Sequence, residues 1–310
     1  FYFKKSSRHI LWIFWSIRIE MNTVAMFSNY LLKRFQILPL LAIIITDMMV
    51  IKRITSNMVI PQWKFYLSFV FIIIYLFHNR VADDKRDFDF DMEFYPDRDL
   101  QKGKISIVFL ERASFIMIGI MTLIALWMGK LSLLFFVPLL FYTLLAKKDF
   151  LLPDHFKIKN LFTYNLINMF QLLFLQIFIY VSILDSLVLD DIVWAHILFV
   201  FILSIQVEIT RKVKPVISPG NELYSDRLGM GGAIMLWYFF GLASIIISIT
   251  ICGLLGIGLK HILFFEALIL LACFFSGLLY LKNETSVYEN IFWFGLLVTY
   301  IGQNMILTYA

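Results

Sequence analysis

Tyr66-Leu67-Ser68-Phe69-Val70-Phe71-Ile72-Ile73-Ile74-Tyr75-Leu76-Phe77-His78-Asn79-Arg80-Val81-Ala82-Asp83-Asp84-Lys85-Arg86-Asp87 passes directly from an apolar run into a cluster of charge. The apolar part belongs to a run over 62–78, close to the about 20 mostly apolar residues that cross a bilayer. Around it the whole chain has the same character. Of its 310 residues 61% are hydrophobic and 16% charged, with a mean hydropathy of +0.83, so lipid is the solvent for most of the surface. Helices are the expected secondary structure, because backbone groups facing lipid must be hydrogen-bonded within their own segment.

Further windows of this kind give nine expected spans, at 35–51, 62–78, 107–128, 131–146, 161–183, 191–208, 233–256, 260–281 and 291–309. With a cytoplasmic N-terminus, 22 of the 27 Lys and Arg residues fall on the cytoplasmic side, leaving Lys52, Arg53, Lys64, Lys130 and Lys260 outside. The opposite orientation would invert the positive-inside bias. The net charge of +5 is therefore a topology signal, and no nucleic-acid partner is implied. No linker, low-complexity tract or repeat divides residues 21–310, which read as a single polytopic domain. Residues 1–20 mix Lys4, Lys5 and Arg8 with Trp12, Phe14 and Trp15 and read as an interfacial segment or a non-native extension. Cys252 and Cys273 lie inside apolar runs, as packing residues do.

The second and sixth spans run into the two most polar loops, 79–106 and 209–229, on the same side. In the first, Asp83, Asp84, Asp87, Asp89, Asp91 and Glu93 place six carboxylates within eleven residues. Asn79, Asp83 and Asp87 recur every four residues, so a continued helix lines all three on one face. Side-by-side oxygen ligands suit a hard divalent cation, and Mg2+ commonly takes one or two carboxylates, waters and a substrate phosphate. The competing reading is a solvated charge run beside the membrane. Position at a helix end and the regular spacing favour a site.

The second loop places Glu208 near Arg211 and Lys212, then Glu222 and Tyr224. One carboxylate can ligate or orient here while Arg and Lys neutralise phosphate oxygens. The basic residues equally suit topology anchors. Lys147 and Lys148 end the fourth span; Asn165 and Asn168 lie in the fifth, either facing a polar cavity or bonding a neighbouring helix. Glu266 is an intramembrane charge with no partner evident in the sequence, and His196 and His261 read as interfacial.

The first loop resembles the first aspartate-rich motif of the UbiA superfamily of intramembrane prenyltransferases, N-D-x-x-D-x-x-x-D. Asn79, Asp83 and Asp87 are in register, with Arg80 replacing the first aspartate. The stretch Tyr95-Pro96-Asp97-Arg98 leading to Gly103 is similar to the family's Arg-Pro segment, in inverted order. The second loop departs from the family's second aspartate motif. Lys212 stands four residues after Glu208, and Glu222 stands where the family has lysine.

The resemblance implies an all-α integral membrane bundle of nine helices, in a bacterial inner membrane with its site loops cytoplasmic. It implies Mg2+ held by Asn79, Asp83 and Asp87, which are also the catalytic candidates. The diphosphate of an isoprenoid donor would meet Arg80, Arg98, Lys147, Lys148, Arg211 and Lys212, with Glu208, Glu222 and Tyr224 as second-loop candidates. A hydrophobic aromatic or lipid acceptor, reached through the membrane lipids, would capture the prenyl group. A terpene cyclase, a phosphoribosyl-type transferase acting on a lipid phosphate, and a non-catalytic lipid-binding or transport protein are the alternatives on this scaffold.

Overall fold

Among the described residues nine apolar runs form long helices, because nothing else satisfies their backbones in lipid. The computed structural model describes residues 26–32, 34, 37–218 and 222–309; the expected N-terminal segment 1–20 lies outside them. The helices are α1 (Ile37–Ile54), α2 (Gln62–Arg86), the short α3 (Phe88–Phe94), α4 (Ile107–Met128) and α5 (Lys130–Ala146). They continue with the short α6 (Asp154–Lys159), then α7 (Leu161–Leu184), α8 (Asp191–Arg211), α9 (Tyr224–Leu254), α10 (Leu259–Asn283) and α11 (Ser286–Tyr309). Among the described residues, seven helices are long and apolar enough to cross a membrane. The other two expected spans correspond to α1 and α5, helices of 18 and 17 residues.

Each long helix packs on the next in chain order, and α11 returns to α1, closing a ring. Contacts of α7 with α2 and α4, and of α8 with α1 and α11, fill the interior. The outer faces are apolar and exposed: Phe115, Ile116, Leu123 and Trp127 on α4, and Phe264, Leu271 and Phe275 on α10. Such continuous apolar surface fits lipid and not water. The protein is an all-α integral membrane protein.

The two largest differences from the expected spans are at the polar loops. α2 continues through Arg86, well past His78, because each added acidic residue finds a cation and the helical spacing is maintained. α9 begins at Tyr224, with a kink at Gly229, whose φ of +69° is a conformation favoured by glycine. Tight packing elsewhere depends on missing side chains. A Cβ at Gly295 of α11 would lie 2.6 Å from the Cβ of Ser276 on α10, so Gly295→Ala forces the two helices apart. It is expected to destabilise by about 1–3 kcal/mol, read as a lowered thermal unfolding midpoint in detergent; an unchanged midpoint would contradict this packing.

Candidate functional site

α2 and α8, the two helices that run into polar loops, end on the same side of the ring and flank one cavity of about 370 Å³. Asn79 and Asp83 enter its wall from α2, Glu208 and Arg211 from α8, Lys147 from the end of α5, and Asn168 from α7. Deeper along the same helices the wall turns aliphatic, with Ile72 and Leu76, Leu172 and Leu175, Val200 and Val207, and Ile43 and Ile44 of α1. The result is a charged mouth above an apolar shaft.

The mouth is a network of compensated charges. Arg86 binds Asp83 at 3.1 Å and Asp87 at 3.0 Å, and its Nε stands 3.5 Å from Asp149, beyond the end of α5. Across the cavity, Arg211 pairs with Glu208 at 2.8 Å, yet half of its side chain stays exposed, and its charge acts on Asp83 and Asp87 as well. Lys212 reaches Glu208 at 3.3 Å and donates to Asn165 Oδ1 at 2.9 Å, while Asn165 Nδ2 donates to the Tyr224 hydroxyl at 3.2 Å. The two loops, distant in sequence, thus meet at one electrostatic centre.

Not every expected site residue reaches it. Asp87 caps α2 and is paired with Arg86; it does not line the cavity wall. Arg80 turns to buried Asp84, at 2.9 Å, on another face of α2. Arg98 pairs with Asp91 and lies over the Tyr95 ring, its guanidinium carbon 4.2 Å from the ring centroid. Burial pushes the Asp91 carboxyl up, and Arg98 opposes the shift. Lys148 follows Lys147 past the helix end without joining the cavity wall, and Glu222 is exposed near the mouth.

Lys147 is the unusual cation. Its Nζ lies 2.9 Å from His78 Nε2 and 3.1 Å from Ser114 Oγ, with no carboxylate among its hydrogen-bond partners. Burial, aided by the charge of Lys85, pushes its pKa down to about 8. An anion in the mouth favours the protonated form, so binding takes up a proton once the pH exceeds that value. Affinity for a phosphate-bearing ligand is expected to fall as pH rises from 7 to 9, and Lys147→Arg, permanently charged, should flatten the profile. A pH-independent affinity in the native protein would contradict a role for Lys147 in anion binding.

The donor set fits a hard cation. Asn79 Oδ1 is buried without a hydrogen-bond partner, and Asp83 stands one turn away on the same helix. Arg86 has Asp149 as an alternative partner if its carboxylates are taken. Among the described residues no group of three or more His, Cys, Asp and Glu forms a ready cage; Mg2+ does not require one, since waters and substrate phosphate complete its shell.

Arg86, His78 and Asp149 are additions that charge spacing did not single out; only Arg86 carried a signal, as the cation one residue from Asp87. His196 is fully buried instead of interfacial, sharing a 2.8 Å hydrogen bond with the Tyr180 hydroxyl. Glu266 has a partner after all, accepting from Gln303 Nε2 at 3.3 Å. Cys252 and Cys273 are buried and free.

No protein-family model matches the chain. No curated protein matches its sequence either. Solved structures do match. A UbiA homolog from Aeropyrum pernix K1, in its apo form, superposes with a TM-score of 0.65 at 15% identity, covering 87% of this chain and 98% of that one. A digeranylgeranylglyceryl phosphate synthase superposes with a TM-score of 0.55 at 18% identity, covering 91% and 99%. At these identities the likeness establishes the fold.

Proposed function

Given that the chain has the fold of the UbiA superfamily, we propose that it is an intramembrane prenyltransferase that uses Mg2+ to move a prenyl group from an isoprenoid diphosphate to an aromatic or lipid acceptor. One observation carries this reading: the carboxylate and carboxamide of Asp83 and Asn79 face the half-exposed Arg211 and the carboxylate-free Lys147 across the mouth of an apolar shaft. That arrangement suits a molecule with a polyanionic head and a hydrocarbon tail.

Asn79 and Asp83 would hold Mg2+, which when bound lowers the charge of the diphosphate as a leaving group. Arg211 and protonated Lys147 place positive charge beside that head and stabilise the negative charge developing on it as the C–O bond breaks. Arg can do this with two parallel hydrogen bonds, Lys as a point charge. Lys212 is held between Glu208 and Asn165 and acts by keeping Glu208 in place beside Arg211. The aliphatic shaft orients the chain and excludes water, which would otherwise capture the allylic cation before the acceptor does. Tyr300 is the one aromatic among the described lining residues, so the shaft offers little of the ring surface expected of a cyclase. By the positive-inside rule the mouth opens to the cytoplasm.

The test is Mg2+-dependent release of diphosphate from a panel of prenyl diphosphates by the purified protein in nanodiscs, with and without native lipid extract. Release that needs the extract supports a transferase. Release without it would move the assignment to a cyclase, and no consumption of any donor would contradict the proposal.

A further inference from the structure

The floor of the cavity is polar, although its walls are aliphatic. Asp47 of α1 and Gln176 of α7 both line it, and Gln176 Nε2 donates to Asp47 Oδ2 at 3.0 Å. Both side chains belong to residues more than nine-tenths buried, and each leaves one oxygen, Asp47 Oδ1 and Gln176 Oε1, without a hydrogen-bond donor. Behind Asp47, outside the cavity lining, His196 Nε2 stands 3.6 Å from Oδ1, and the other ring nitrogen is tied to Tyr180. His196 Nε2 stands beside Oδ1 without bonding it and is itself without a hydrogen-bond partner. Ser204, which also lines the floor, already donates to the Val200 carbonyl at 2.7 Å.

Buried acceptors without donors are unfavourable, and a plain hydrocarbon chain resting on this floor supplies none. Interhelical packing alone would explain the Gln176–Asp47 bond, but not two unpaired buried oxygens on residues that line the same cavity. We propose that the floor is a second binding subsite, which takes a hydroxyl or amino group at the distal end of an apolar ligand whose other end occupies the mouth. Gln176 lies eight residues beyond Asn168 on α7, about 12 Å at the helical rise, which sets the length of chain between the two ends. The diphosphate assignment of the mouth is taken from the proposed function; the floor's preference for a hydrogen-bond donor does not depend on it. Two sources can supply the donor: an oxygenated prenyl diphosphate, or a hydroxylated acceptor that enters the shaft.

The experiment measures equilibrium binding in nanodiscs for two pairs of probes, geranyl diphosphate with 8-hydroxygeranyl diphosphate, and geraniol with 8-hydroxygeraniol. The hydroxylated member is expected to bind about tenfold more tightly, the preference of one added hydrogen bond to a carboxyl oxygen. The preference should disappear in Asp47→Asn, whose carbonyl oxygen is kept by Gln176 and whose amide N–H replaces the unpaired acceptor oxygen, and shrink in Gln176→Met. Unhydroxylated probes should bind these variants about as well as the native protein, which also shows that both are folded. A preference confined to the diphosphate pair assigns the hydroxyl to the donor; one present in both pairs assigns it to a molecule that needs no diphosphate. Preference within the alcohol pair, with neither diphosphate binding, would support the floor and contradict the reading of the mouth. Equal binding within both pairs, no binding by any probe, or a preference that survives in both variants would overturn the subsite.

Discussion

Asp83→Asn is expected to lower Mg2+-dependent diphosphate release by about 100-fold or more while leaving the thermal midpoint close to that of the native protein. Asp83 lines the cavity, lies one turn from the unpartnered Asn79 oxygen, and is held by Arg86, which retains Asp87 and approaches Asp149 when the charge at position 83 is lost. The substitution therefore removes a ligand without stranding a buried cation. Turnover within about threefold of native, far from the loss expected of a transition-state charge partner, would remove Asp83 from the chemistry.

The neighbouring carboxylate is expected to behave in the opposite way. Asp84 is 2% exposed and accepts from the Tyr30 hydroxyl at 2.5 Å, from Arg34 at 2.6 and 2.9 Å, and pairs with Arg80 at 2.9 Å. Asp84→Ala leaves two guanidinium groups and a phenol around a vacated carboxylate, a loss of about 3–5 kcal/mol for a broken buried ion pair. The expected readout is a large drop in the unfolding midpoint in detergent, with residual turnover by whatever fraction stays folded. An unchanged midpoint with lost turnover would place Asp84 in the site and Asp83 outside it. The two variants together separate what α2 does for catalysis from what it does for the bundle.

The contrast between Asp83 and Asp84 also marks how far the sequence could be read. Apolar runs located every long helix, because lipid admits no other backbone solution, and the four-residue spacing of Asn79 and Asp83 placed both on the cavity face. Nothing in a run of six carboxylates, however, tells which of two adjacent ones turns inward: Arg34 and Tyr30, which claim Asp84, lie about fifty residues upstream. The same limit explains Arg80, assigned to diphosphate by its neighbours in the chain but held by Asp84 in the fold. Helix ends were underestimated at 62–78 and 233–256 because charge was read as loop, whereas paired charge continues a helix. Asp47 carried a signal, a lone carboxyl inside an expected span. Its partners Gln176 and His196 come from α7 and α8 and become apparent only when the ring closes.

In the proposed function the mouth holds a diphosphate through a metal ligated by α2. The most direct test is the dissociation constant of geranyl diphosphate for the native protein and for Asp83→Asn, each with and without saturating Mg2+. Mg2+ is expected to tighten binding to the native protein by about tenfold or more, in keeping with charge-assisted contacts, and to have little effect on Asp83→Asn. Equal affinity of the native protein with and without Mg2+, or a Mg2+ effect that persists in Asp83→Asn, would contradict this role of the metal.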